Sequence, residues 1–174
     1  MHKSQNHKIF SNALLPMSGA KKKENPKTLM RLAKEGDGAA FGALYEEYFL
    51  PVFRYIFYRV KSKEEAEDLT HSVFLKVYTS IGNFEERGKS PLAYFFTIAR
   101  NTVINHWRKK KELLTDQEVF ATLPSEENSP QENAEEKEMS FRAREAIQKL
   151  TPEQQEVVIL KFINELSNQE IATL

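Results

Sequence analysis

Residues 90–111 read SPLAYFFTIARNTVINHWRKKK, and the way these side chains sort around a helix decides what kind of protein this is. Ser90 is a helix cap and Pro91 a first helical residue: a serine oxygen satisfies an otherwise unpaired amide, and proline has no N–H to lose there. Leu92, Phe96, Ala99, Val103 and Trp107 recur every three or four positions and predict a core stripe ending near Lys111. The opposite face carries Tyr94, Thr97, Asn101, Asn105 and Arg108, and the helix ends in Arg108, Lys109, Lys110 and Lys111. Two readings compete. Amides and an aromatic ring in one line, closed by cations, suit hydrogen bonding and stacking to bases with charge on phosphate. The same face is otherwise a solvated surface whose basic end complements the helix dipole.

Toward the N-terminus, the polar turn GNFEERGKS (82–90) holds Phe84, which either packs back on the bundle or rims a pocket for an extruded base. Before it, the capping box SKEE (62–65) opens a helix whose stripe is Ala66, Leu69, Val73, Val77 and Ile81. The other side of that helix carries Asp68, His71, Ser72 and Leu75, with Phe74 between that side and the stripe. It is either a dock for a partner helix or a solvated face. A long aromatic helix precedes it, with Phe41, Leu44, Tyr45, Tyr48, Val52, Phe53, Ile56 and Val60 at helical spacing and a kink expected at Pro51. A short helix from Thr28 ends at EGDG (35–38), where Asp37 caps the next. Residues 1–26, with Lys21, Lys22 and Lys23, read as a disordered basic tail.

Toward the C-terminus, residues 112–139 hold nine acidic residues against one basic, with Pro124 and Pro130, and read as a flexible acidic linker. Helical pattern resumes over 140–150. TPEQ (151–154) caps a helix containing Val157, Val158 and Phe162, a turn NEL (164–166) follows, and Ser167 with Glu170 boxes a further start. A helix, a short turn and a capped helix form the opening of a helix-turn-helix. No stretch reads as a strand, so the fold class is all-α.

The formal charge of zero conceals a division: residues 1–111 carry twenty basic against eleven acidic residues, residues 112–174 five against fourteen. The first part suits a polyanionic partner and the second does not. With no cysteine there is neither disulfide nor thiolate site, and the four histidines do not cluster, which leaves no metal, cofactor or catalytic constellation to read. No apolar run approaches the roughly 18 residues that span a bilayer. A soluble cytoplasmic protein without membrane insertion is expected.

Three stretches carry a resemblance to a known family. GDGAAFGALYEEY (36–48), AEDLTHSVFLKVYTSIGNF (66–84) and SPLAYFFTIARNTVINHWRKK (90–110) resemble region 2 of the sigma-70 family of bacterial RNA polymerase initiation factors, in its small extracytoplasmic-function group. LTPEQQEVVILKFINELSNQEIATL (150–174) resembles the opening of region 4. The resemblance implies a four-helix region 2 over 27–111, the linker over 112–139 and a partial region 4 over 140–174. It implies promoter recognition and melting of the minus-ten element as a polymerase subunit, not an enzyme. Asp68, His71, Ser72, Phe74 and Leu75 would dock on the clamp helices of the largest subunit. Phe84, Lys89 and Ser90 with Asn101 would form the pocket for a flipped base, and Tyr94, Thr97, Arg100, Asn105, Arg108, Lys109 and Lys110 would complete the DNA surface. The family has glutamine more often at His71, tryptophan at Tyr94 and aspartate at Asn105. An inhibitory anti-sigma partner over region 2 is a further expectation. The helix after Ser167 would be followed in the family by a recognition helix for the minus-thirty-five element, so an incomplete gene product or a cut chain is expected.

Overall fold

The computed structural model describes residues 24–85, 90–115 and 134–174, and all regular structure among them is helical. Each of the first helices begins where a side chain can accept from orphan amides. Asn25 accepts from the Lys27 amide and opens α1 (Pro26–Lys34), with Pro26 at its first position. Gly36, at φ 97°, then turns the chain through a region closed to most side chains. Asp37 accepts from the amides of Ala39 and Ala40 and starts α2 (Gly38–Phe57), which runs on through Pro51. Ser62 caps α3 (Lys63–Ser80) by accepting from the Glu65 amide at 3.1 Å. The Glu65 carboxylate reaches back past Ser62, however, to the Lys61 amide at 2.8 Å. After a 3₁₀ turn over Ile81–Asn83 comes α4 (Pro91–Thr115), the longest helix at 25 residues.

The C-terminal part comprises α5 (Ala134–Gln148), α6 (Pro152–Val158) extended by a π-helical turn over Ile159–Ile163, and α7 (Asn168–Ile171). Complete capping boxes close on α6 through Thr151 and Gln154 and on α7 through Ser167 and Glu170. Between them Glu165 takes a left-handed φ of 56°. The expected bounds move. Helix α1 takes in Pro26, the last residue of the expected tail, and α4 and α5 occupy both ends of the expected linker, since Lys, Glu, Leu and Ala favour helix propagation. Residues 1–23 of the tail, 86–89 of the turn and 116–133 of the linker lie outside the described residues.

One core runs through α1–α4, its centre an aromatic chain. Phe74 lies 4.5 Å from the Tyr45 ring and 5.4 Å from Phe95, which in turn stacks near Tyr48 at 4.6 Å. Ile147, Ile159 and Leu160 of the C-terminal part join this same core. Polar contacts reinforce the junction. Arg144 donates through Nε and Nη2 to the Val60 carbonyl oxygen, Gln148 Nε2 donates to the same oxygen at 2.9 Å, and the Arg144 guanidinium lies 4.7 Å from the Phe57 ring centre. These groups satisfy a carbonyl that α2, ending at Phe57, no longer covers.

Candidate nucleic-acid interface

Helix α4 sets the interface because its inward face is fixed by packing. Phe95, Phe96, Ala99 and Val103 are buried, and Thr102, buried at 3% exposure, accepts from Lys76 Nζ at 2.9 Å. The outward face then presents Thr97, Arg100, Asn101, Ile104, Asn105, Trp107, Arg108, Lys109 and Lys110 to solvent. Asn101, Asn105, Arg108 and Lys109 have no partner among the described residues, so their hydrogen-bonding capacity faces outward. Ser90 performs its local task, accepting from the Ala93 amide at 3.1 Å. Thr97 Oγ1 donates to the Ala93 carbonyl at 2.7 Å, which engages its hydrogen while the side chain stays exposed.

Trp107 is 44% exposed and leaves the core stripe in which the sequence pattern placed it. The stripe is buried from Phe96 to Val103, but at Trp107 helical spacing continues where the packing of the bundle no longer encloses the side chain. Ile104, 52% exposed, and Trp107 thus put apolar area among the cations of the interface. Both were within reach of the spacing argument, lying three and six positions after Asn101.

Phe84 is a core residue, 6% exposed, with its ring edge-on to Tyr94 at 5.2 Å and its carbonyl accepting from Lys34 Nζ at 3.0 Å. Of the two readings of Phe84, the structure shows the one in which the ring packs back on the bundle and not on the rim of a pocket. Tyr94 is half-buried, and its hydroxyl is committed to the Ser80 carbonyl at 2.9 Å and the Ser80 Oγ at 2.7 Å. Lys89 lies outside the described residues.

The basic end of α4 is anchored to the start of α3. Glu65 accepts from His106 Nε2 at 2.6 Å and from Lys110 Nζ at 3.0 Å. Burial opposes ionisation of Glu65, but the Lys61 amide, Lys110 and His106 outweigh it and hold the carboxyl down at about 2. Lys110 is thereby partly neutralised. Arg100 is likewise engaged, its Nε 3.2 Å from Glu156 Oε2 on α6. A cleft of about 220 Å³ opens at this place, lined by Phe96, Thr97, Arg100, Asn101 and Ile104 on one side and by Glu156 and Leu174 on the other.

A second surface lies on α3. Asp68, His71, Ser72 and Leu75 are exposed, Leu75 at 57%. Tyr78, one turn further on, adds a ring 59% exposed that packs edge-on to Phe41 at 5.0 Å, and the sequence reading missed it. Phe74 is 2% exposed and belongs to the aromatic core. Its assignment as a docking residue is corrected: it lies on the buried side of α3 beneath Tyr45. Among the described residues no group of histidines and carboxylates forms a metal site, and no helix is long and apolar enough to cross a membrane.

Residues 44–112 match the Sigma-70 region 2 family, and residues 140–174 match Sigma-70, region 4. The chain is 38% identical over 147 residues to the ECF RNA polymerase sigma factor BldN of Streptomyces coelicolor, covering 83% of this chain and 55% of that one. It therefore spans little more than half the length of BldN. It is 31% identical over 139 residues to the ECF RNA polymerase sigma factor SigX of Bacillus subtilis, covering 76% of this chain and 70% of the relative. The solved structure of CnrH in complex with the cytosolic domain of CnrY shares the fold at a TM-score of 0.63 and 18% identity, covering 85% of this chain and 80% of that one. The chain belongs to the sigma-70 family, in its extracytoplasmic-function group.

Proposed function

We propose that this sigma factor divides its work between two faces of one bundle. The exposed side of α3, with Asp68, His71, Ser72 and Leu75, docks on the clamp helices of the largest polymerase subunit. The exposed side of α4 receives the minus-ten element of the promoter. The observation that carries this reading is the outward line of Asn101, Asn105, Arg108 and Lys109 on a helix held rigid by its opposite face. Melting then needs no catalytic group, because unstacked bases are captured by amides and apolar area while cations hold the phosphates. Residues 27–111 act as the unit for polymerase and minus-ten binding, and residues 140–174 as a separate region 4 element. The protein works in the cytoplasm, where an anti-sigma partner covers region 2.

The test is Asn101→Ala in the holoenzyme. Base discrimination at the minus-ten element should fall about tenfold, as expected for one lost base contact of roughly 1–3 kcal/mol, with co-purification of core polymerase unchanged. A mutant that discriminates base-substituted strands as well as the parent removes Asn101 from the recognition surface.

A further inference from the structure

Arg59 stands at the end of α2 in an unusual position for a cation. It is 5% exposed, its guanidinium lies 4.3 Å from the Tyr55 ring centre, and its Nε and Nη2 have no hydrogen-bond partner in the structure. The charge facing it is Glu156, whose Oε2 lies 3.6 Å from Arg59 Nη2. That same oxygen lies 3.2 Å from Nε of Arg100, the one arginine of the α4 interface that is not free. Two guanidinium groups, one from the turn after α2 and one from α4, thus converge on a single anionic oxygen supplied by the C-terminal part.

Guanidinium pairs are well suited to phosphate oxygens, which offer the same charge and similar hydrogen-bonding directions as a carboxylate. A buried guanidinium held by one long ion pair is poorly compensated, so an anion that hydrogen-bonds it better is favoured over Glu156. Arg100 also places the pair beside Asn101 in the cleft that Leu174 closes from the other side. We infer that Arg59 and Arg100 form a binding site for a DNA backbone phosphate, which Glu156 occupies while α6 is seated on the bundle. The inference rests on the assignment of the α4 face to DNA. Seating of α6 and binding of DNA then exclude each other, because one anion must leave for the other to enter.

The test uses the full chain, alone and as holoenzyme, with a dye-labelled single-stranded oligonucleotide carrying the minus-ten element of a promoter that the holoenzyme opens. Glu156→Gln should bind it about tenfold more tightly in the free chain, since the competing charge is gone. Arg59→Gln should weaken holoenzyme binding and lower the slope of log affinity against log salt by about 0.7, the share of one phosphate on a single strand. A role of Arg59 in packing alone would leave that slope unmoved. Circular dichroism checks the fold of Arg59→Gln, and if it does not fold, Glu156→Gln decides alone. Unchanged free-chain affinity in Glu156→Gln, or an unchanged salt slope in a folded Arg59→Gln, overturns the phosphate site. A parent holoenzyme with no preference for the minus-ten strand would instead overturn the assignment of the α4 face, and the two failures are separable.

Discussion

The bundle of α1–α4 and the C-terminal part from α5 to α7 bury their apolar residues on different terms. The bundle closes on itself: Leu44, Val52, Tyr55, Ile56, Val73, Val77 and Phe95 come from three helices and are all fully buried. The C-terminal part buries Ile159 and Leu160 only by placing them in the bundle's core, and leaves Phe162 at 72% and Phe141 at 57% exposed. Helix α7 contributes no buried residue. The first region is therefore a fold, whereas the second is a guest on it, fastened by the three buried aliphatic side chains Ile147, Ile159 and Leu160, the Val60 carbonyl and the Glu156 ion pairs. A guest of this kind can leave without unfolding its host, which the exclusion between α6 and DNA requires.

The comparison breaks most sharply at the buried side chains that each region contributes to the shared core. Phe95→Ala should lower the stability of the bundle by about 3–5 kcal/mol, the cost of deleting an enclosed aromatic ring that touches both Tyr48 and Phe74. Leu160→Ala removes a side chain equally hidden, yet should shift bundle unfolding by less than about 1 kcal/mol while raising amide exchange over residues 152–163. Urea denaturation with hydrogen exchange measures both. A Leu160→Ala variant as unstable as Phe95→Ala would mean that the two regions fold as one unit.

A smaller effect sharpens the account of α4. The Glu65 carboxyl is held at about 2 against an ordinary 4.5, so its contribution is complete above about 4.5 and is lost as pH falls toward 2. Between those limits the parent should lose more stability than Glu65→Gln, which carries no proton-linked term at that position. Denaturation at stepped pH values checks this, and parallel pH profiles would remove Glu65 as the anchor of α4.

The smallest effect is a control across the two regions. Arg31–Glu35 at the C-terminal end of α1 and Arg142–Glu138 in α5 are both exposed pairs one helical turn apart, at 3.1 and 2.6 Å. Breaking either with methionine at the arginine should change stability by no more than about 0.5 kcal/mol, since water screens both alike. A large loss at Arg142 alone would show that α5 depends on its surface charge more than on the bundle.

Most helix starts were legible because a cap is a local event: Asp37, Ser62, Thr151 and Ser167 each satisfy amides within three residues of themselves. The outward face of α4 was legible too, since the 3.6-residue period sorts side chains without reference to what packs on them. Family resemblance supplied the function, and two misreadings and one reading left open show where the pattern stops. Phe74 lies between two faces, and only the approach of Tyr45 and Phe95 drew it inward. Phe84, in its polar turn, left two readings open, and only its packing against Tyr94 decided for the core. Trp107 kept the spacing of the stripe at a position that the packing of the bundle does not enclose.

The amino-acid sequence by itself determined that this protein is helical, where most of its helices begin and which side of α4 looks outward, because each of these depends on residues a few positions apart. Tertiary structure alone decided that Ile159 and Leu160 enter the core of the bundle. It alone brought Arg59, Arg100 and Glu156 to one point, because charges remote along the chain meet only after chain entropy has been overcome by burial elsewhere.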